Sequence, residues 1–413
     1  MISTRIYAGG AIQFGGQPAI DDLLAAGYTA VIVWSVHVST SGDLSLNDTP
    51  IVSDGIFNTQ TSGDLPGHLA QLYKGGVQII FSVGSGGVSD YANIGALLQK
   101  EGTGPTATLF RNFAALKQAK VDAGGDIDAI DFDNEEITGY PVDQTQVDTM
   151  TGFSTLLANV GFGSVTFCPY SSLPTWTETY GKVLATHGKG FVSAIHLQAY
   201  SGGMGNSPEP WGQMISDAGG QTLLIPGLAT VQAGPGPWWN NGAIGESVVK
   251  TASVAQYGGG DWSNLLRVAN FATADDALQG AEGGETFFFY CNGYLDLGPG
   301  KQFQKGDAVY FAGEPQWGAA PQCDGYALSG GCSNIYNMNG ACPPDLQTQF
   351  QTWKAEKHPP DGGFIWLYDS VVNCFLSGSC GGSEQNPATT AKAYREAITN
   401  GLSVTAKSPT PAE

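Results

Sequence analysis

Eight short β-branched runs, each followed by a longer stretch of helical periodicity, constrain this chain more than any other feature. The runs are Thr4–Ala8, Ala30–Val38, Val77–Val83, Ile127–Asp133, Ser164–Cys168, Ala194–Ala199, Thr222–Pro226 and Gly363–Leu367. The helical stretches are Pro18–Ala26, Gly67–Tyr73, Thr106–Ala123, Gln144–Val160, Thr175–His187, Pro208–Ala218, Leu346–Lys357 and Thr389–Asn400. Strands that alternate with helices run parallel, because each helix carries the chain back to the starting edge. Eight such units predict an α/β chain folded as a (β/α)8 TIM barrel rather than an open doubly wound sheet. No Gly-rich phosphate turn follows the first run, which weakens a dinucleotide-binding sheet further.

One section breaks the rhythm. From Val231 to Pro344 the chain is rich in Gly, Pro, Trp, Tyr and Cys and loses the alternation. A structureless loop of that length is improbable in a compact domain. The expectation is a barrel from 1–230 and 345–402, with 231–344 as an inserted subdomain between strand seven and helix seven, partly strand-forming at Thr286–Tyr290. Residues 403–413 read as a flexible tail. Of seven cysteines, Cys323, Cys332, Cys342, Cys374 and Cys380 cluster, which predicts disulfides of an oxidising compartment, hence a secreted protein, with the subdomain stapled by them; no CxxC pair or nearby histidine supports zinc. Cys168, within an apolar run, is expected as a buried free thiol.

Charge excludes some partners. Lys and Arg number 17 against 37 Asp and Glu, a formal net charge of −20. Nucleic acid and anionic membrane are therefore not expected as partners, since phosphate binding needs clustered basic residues. No apolar run approaches the roughly 20 residues of a membrane span. No signal peptide precedes the first strand, so a secreted protein would begin here at its mature end behind an added Met1.

The segment Asp126-Ile127-Asp128-Ala129-Ile130-Asp131-Phe132-Asp133-Asn134-Glu135-Glu136 carries the chemistry. Side chains alternate along a strand, so Asp131, Asp133 and Glu135 share one face while Ile130 and Phe132 point to the other. Acids aimed into a core are costly unless they share protons, bind a metal or catalyse. Crowded carboxyls cannot all ionise, and a raised pKa is what keeps a Glu protonated as a general acid. A solvated loop or a calcium site is the competing reading; calcium loops carry a Gly and spaced carbonyl ligands instead of interleaved Ile and Phe. Asp128 has the opposite parity to Asp131 and needs a bulge to join the same face.

At this point the pattern resembles the DxxDxDxE signature of family-18 glycoside hydrolases, a group of chitinases and endo-β-N-acetylglucosaminidases. Phe81-Ser82-Val83-Gly84-Ser85-Gly86-Gly87 is similar to the family's SxGG segment, and Gln198-Ala199-Tyr200 to its QxY motif. Ile225-Pro226-Gly227-Leu228-Ala229 resembles the strand-seven segment, and Gly362-Gly363-Phe364-Ile365-Trp366 the Gly-Gly…Trp ending of strand eight. Departures are Ala129 for a usual Gly, Asn134 for an aromatic, the extra Ser85, Ser201 after the Tyr, and a Trp one residue early.

The resemblance implies substrate-assisted cleavage with retention, without metal or organic cofactor. Glu135 would protonate the glycosidic oxygen, Asp133 would orient the acetamido group, Asp131 would exchange a proton with Asp133, and Tyr200 would hold the acetamido oxygen. Trp366 would floor the cleavage subsite, with Gln198 and Asp128 as further substrate-binding candidates. Trp238 and Trp239, after a Gly-Pro-Gly-Pro turn, are either a sugar platform or the subdomain's own core. Taken alone, Tyr200, Gln198 and Trp366 could be core residues, and His196 is expected as a satisfied core histidine. The expected partner is an oligo- or polysaccharide containing N-acetylglucosamine, the expected state a monomer. N-glycans and other aminosugar polymers are rival substrates, while a catalytically silent lectin or inhibitor is the rival of another class.

Overall fold

The computed structural model describes residues 2–200, 203, 206–230, 286–289, 293–296, 311–312, 340–341, 343–377 and 386–403. The chain has an α/β fold around a mostly parallel central sheet, as the alternation predicts. Its strands run side by side in the order Leu223–Leu224, Val192–Ile195, Val165–Phe167, Ala129–Phe132, Gln78–Val83, Ala30–Val38, Ser3–Ala8, Gly362–Trp366, Gly227–Thr230 and Gly340–Ala341. Expected strand seven, Thr222–Pro226, is shorter at Leu223–Leu224; it stops before Pro226, which has no N–H for the ladder, and a further strand follows at Gly227–Thr230. Leu223–Leu224 pairs with Val192–Ile195, and Gly227–Thr230 pairs with both Gly362–Trp366 and Gly340–Ala341.

Two apolar cores follow from the period of two along each strand. Ile130, Phe132, Val165 and Phe167 face the helices; Phe132 stacks on Phe153 with ring centroids 5.0 Å apart, and Phe167 packs on Trp176 at 5.2 Å. The opposite faces enclose a second core of Ile32, Ile80, Ala129, Ala194, Ile225 and Phe364, on which the functional residues stand.

Helices lie close to their expected spans: Gly16–Ala26, Leu65–Lys74, Thr108–Asp122, Gln144–Val160, Leu173–His187, Glu209–Asp217, Pro343–Lys354 and Pro387–Ser403. Asp90–Glu101 and Tyr368–Ser377 are additional, as is an antiparallel ribbon of Leu44–Leu46, Thr49–Ser53 and Ile56–Phe57. Its turns sit at Asn47-Asp48 and Asp54-Gly55, with positive φ at Asn47, Asp54 and Gly55.

Of the expected subdomain, Thr286–Phe289, Gly293–Asp296 and Phe311–Ala312 form an antiparallel three-stranded sheet. Trp238, Trp239 and the side chains of the clustered cysteines lie outside the described residues. Cys168 is a buried free cysteine, as expected. Among the described residues no helix is long and apolar enough to cross a membrane.

Candidate active site

The strand Ala129–Phe132 delivers three acids at increasing height. Asp131 is fully buried and Asp133 is 2% exposed, whereas Glu135, past the end of the strand, is partly exposed. A strand advances about 3.3 Å per residue, so Asp131 lies too deep to touch a group that Glu135 can reach at the mouth.

Asp131 accepts four hydrogen bonds. Its Oδ2 takes the hydroxyls of Tyr7 at 2.8 Å and Ser82 at 2.9 Å. Its Oδ1 takes Thr166 Oγ1 at 2.6 Å and His196 Nδ1 at 2.8 Å. Burial pushes this carboxyl up, but the electrostatic attraction of His196, then its hydrogen bond and those of Thr166 and Tyr7, outweigh burial and hold its pKa below the ordinary value. Asp133 is not among its partners.

Asp133 and Glu135 are pushed the other way. Burial, reinforced by the neighbouring charges of Glu135 and Asp131, raises Asp133 well above the usual carboxylate range. Burial raises Glu135 as well, against the opposing donor Gln198. The Gln198 side-chain amide reaches Asp133 Oδ1 at 3.0 Å and Glu135 Oε1 at 3.4 Å, while Trp34 Nε1 donates to Asp133 Oδ2 at 3.0 Å. The result is one fixed carboxylate below two carboxyls disposed to keep a proton.

Aromatic rings surround the pair. Trp366 lies edge-on to Trp34 at 4.6 Å and stacks near-parallel with Tyr200 at 5.7 Å. The Tyr200 hydroxyl is buried and makes no hydrogen bond. A buried donor left open costs about 1–3 kcal/mol unless a ligand completes it. The glycines of 84–87 let the chain pass close to the acids: a Cβ on Gly84, whose φ is +103°, would strike the Asp133 carbonyl, and one on Gly86 would stand 2.9 Å from Glu135 Oε2.

No family model and no curated protein matches the chain. Similar solved structures include a chitinase from Bacteroides thetaiotaomicron at 11% identity, covering 99% of this chain and 100% of the other with a TM-score of 0.47. A chitinase from Chromobacterium violaceum is 11% identical, covering 98% and 100% with a TM-score of 0.45. The catalytic domain of a family GH18 chitinase from the fern Peteris ryukyuensis is 12% identical, covering 96% and 99% with a TM-score of 0.40. At such values the likeness adds nothing to what the chain's own residues say about chemistry.

Of the residues singled out in the sequence, Asp131, Asp133, Glu135, Gln198, Tyr200 and Trp366 come together. Asp128 does not join them. It sits at the entry of the strand, where its Oδ2 accepts Ile79 N–H at 2.7 Å and its carbonyl accepts Ser164 Oγ. No bulge intervenes to reverse its parity, so the carboxyl bonds to neighbouring backbone instead of rising to the site. Glu136 accepts Tyr91 and Ala92 N–H at the start of Asp90–Glu101, a favourable place for an anion. Asn134 bonds Gln146 and Glu136, bracing the loop that carries Glu135.

Residues missed in the sequence are Arg5, Tyr7, Trp34, Ser82 and Thr166 as direct or indirect partners of the acids. Each occupies an inward position of an expected strand, and that parity was the available signal. A Ser35–His37–Asp90 chain, at 3.1 and 2.8 Å, has the appearance of a nucleophilic triad. Ser35 is 0% exposed and Asp90 is also engaged by Val38 N–H, so the chain fastens strand to helix.

A pH-dependent stability cost follows from the raised carboxyl. Unfolded Asp ionises near pH 4, whereas folded Asp133 keeps its proton above that. Its contribution to stability is therefore full below the unfolded pKa and is lost as pH rises toward the folded value. Asp133→Asn removes this loss, so thermal unfolding from pH 4 to 8 should show the variant gaining on the parent as pH rises. A difference that stays constant with pH would contradict the assignment.

Proposed function

We propose that the chain is a (β/α)8-barrel glycoside hydrolase that cleaves β-linked N-acetylglucosamine chains with retention. Adjacent strands Leu223–Leu224 and Gly227–Thr230, paired with Val192–Ile195 and with Gly362–Trp366 respectively, support closure of the sheet into a barrel from 1–230 and 345–402. One observation carries the chemistry: Asp133 and Glu135, both disposed to stay protonated, share the Gln198 amide beside an open Tyr200 hydroxyl.

In this reading Glu135, the most exposed acid, gives its proton to the glycosidic oxygen as that bond breaks. The substrate's own acetamido oxygen attacks the anomeric carbon, which accounts for a second carboxyl that lies deep and is hydrogen-bonded rather than free to attack. Asp133 orients the acetamido N–H, and Tyr200 donates its unused O–H to the acetamido oxygen. Trp366 and Trp34 offer apolar faces to the sugar ring. Water then opens the cyclic intermediate from the vacated side, with Glu135 as the base that activates it, leaving the β-anomer.

The test is incubation with N-acetylglucosamine oligomers and, in parallel, with an N-glycosylated protein, with products separated by size and anomer. Prompt β-anomeric oligomers are expected. Release of intact glycans from the glycoprotein alone would move the substrate to N-glycans, and binding without cleavage of either would make the chain a lectin.

A further inference from the structure

We propose that Arg5 and His196 are positioning residues that hold Asp131 as a permanent carboxylate beneath the reacting pair, so that Asp131 acts as a fixed charge and not as a proton carrier. Arg5 Nη1 lies 2.7 Å from His196 Nε2, and His196 Nδ1 lies 2.8 Å from Asp131 Oδ1. A guanidinium can only donate. The imidazole must therefore accept on Nε2 and carry its proton on Nδ1, pointing at the carboxylate. The result is a cation, a neutral imidazole of set tautomer and an anion in one line.

This deepens the proposed hydrolase and rests on that reading for the reaction served; the hydrogen-bond chain itself stands on geometry. Arg5 is 3% exposed, and its other side-chain bond is Nε to Ser3 Oγ at 3.2 Å. A buried guanidinium is strongly unfavourable unless it is compensated. The same interior is filled elsewhere by Ala30, Ile32, Ile80, Ala129 and Ala194, which cost nothing of the kind. The charged chain occurs where it terminates on Asp131.

A carboxylate has roughly four lone-pair sites, and Tyr7, Ser82, Thr166 and His196 use all of them. Protonating Asp131 would force one donor away, and of the four only Tyr7 has another acceptor, the weak Cys168 Sγ at 3.1 Å. The charged and titratable groups facing Asp131 from its neighbours are Tyr7 and Arg5 on the first strand, Cys168 on the fifth, and His196 and Tyr200 on the sixth. Asp133 and Glu135 lie above it on its own strand, and Tyr91 approaches from the helix Asp90–Glu101. Burial keeps the tyrosines and Cys168 neutral, so Arg5 is the cation of the group. Asp128 also feels Arg5 but bonds Ile79 instead.

The experiment compares the full chain with Arg5→Met, His196→Asn and Arg5→Lys. Asn keeps a donor near the Nδ1 position but cuts the line to Arg5; Lys restores the cation. In protein labelled with ring-15N histidine, the resonance that His196→Asn removes should report a neutral Nδ1–H ring from pH 4 to 8. A ring that gains a second proton in that range, or one protonated on Nε2, overturns the proposal. With N-acetylglucosamine oligomers, the acid limb of kcat/KM should move up by roughly one pH unit or more in Arg5→Met and His196→Asn, kcat falling more than KM changes, and Arg5→Lys should return it. If Arg5→Met fails to fold, His196→Asn decides: an acid limb equal to the parent's overturns the proposal. If the parent cleaves no aminosugar substrate, the hydrolase reading fails, and the ring-nitrogen spectrum still decides whether the line of charge exists.

Discussion

Glu135→Gln should leave a folded protein that binds N-acetylglucosamine oligomers and hydrolyses them on the order of 10²- to 10⁴-fold more slowly. Gln keeps the size of the side chain and an oxygen that can accept the Gln198 amide, now 3.4 Å from Glu135 Oε1. The one property removed is the transferable proton. Near neutral pH an ordinary Glu is almost wholly ionised, so the effect depends on the raised pKa that burial gives Glu135. The sign for the parent follows. Activity that needs protonated Glu135 persists as pH rises through the ordinary glutamate range and falls once pH passes the raised value. Initial rates from pH 4 to 9, with binding followed by tryptophan fluorescence on the Trp34–Trp366 pair, test both parts. Residual hydrolysis above a tenth of the parent's, with binding unchanged, would remove Glu135 as the proton donor.

The inward set on strand four was legible because period two separates Asp131, Asp133 and Glu135 from Ile130 and Phe132, and both faces are buried as that pattern requires. Gln198 and Tyr200 were legible through the same parity on strand six. What the sequence did not disclose is which distant polar residues end on those acids. Arg5, Tyr7 and Thr166 sit in short runs where single polar residues look like ordinary strand alternation. Their partner becomes visible once the strands are placed in one sheet, with strand five beside strand four and strand one separated from it by strands two and three. Trp34 was passed over for a similar reason, since an aromatic in a β-branched run reads as core, and it is core on one side. The ribbon 44–57 is a different kind of miss, because Asn47-Asp48 and Asp54-Gly55 are turn signals that lie in the open. Asp128 was misplaced because the motif groups it with the others, while the strand lets its carboxyl bond backbone at the entry end.

Asp131→Leu should destabilise the fold by about 3–5 kcal/mol, the usual cost of removing one member of a buried charge pair. Leu repeats the branched frame of Asp with bulkier methyl groups, so no cavity opens, and overpacking at this fully buried position adds to the cost. The rest arises from what stays behind: a buried Arg5 facing His196 with no anion beyond it, and donors on Ser82, Thr166 and His196 without this acceptor, while Tyr7 keeps Cys168 Sγ at 3.1 Å. Asp131 is also a carboxyl with a depressed folded pKa. Its contribution is therefore present above the unfolded value and is lost as pH falls through the folded one. The gap between parent and Asp131→Leu should accordingly narrow toward the acid end of a pH series of denaturant unfolding curves. A second change separates the two sources of cost. If the orphaned cation dominates, Arg5→Met in the Asp131→Leu background should recover part of the loss, since a pair replaced together by apolar groups is often neutral. If the double variant is no more stable than Asp131→Leu, the cost lies in the stranded hydroxyls, and Arg5 is held by the shape of the interior more than by its charge.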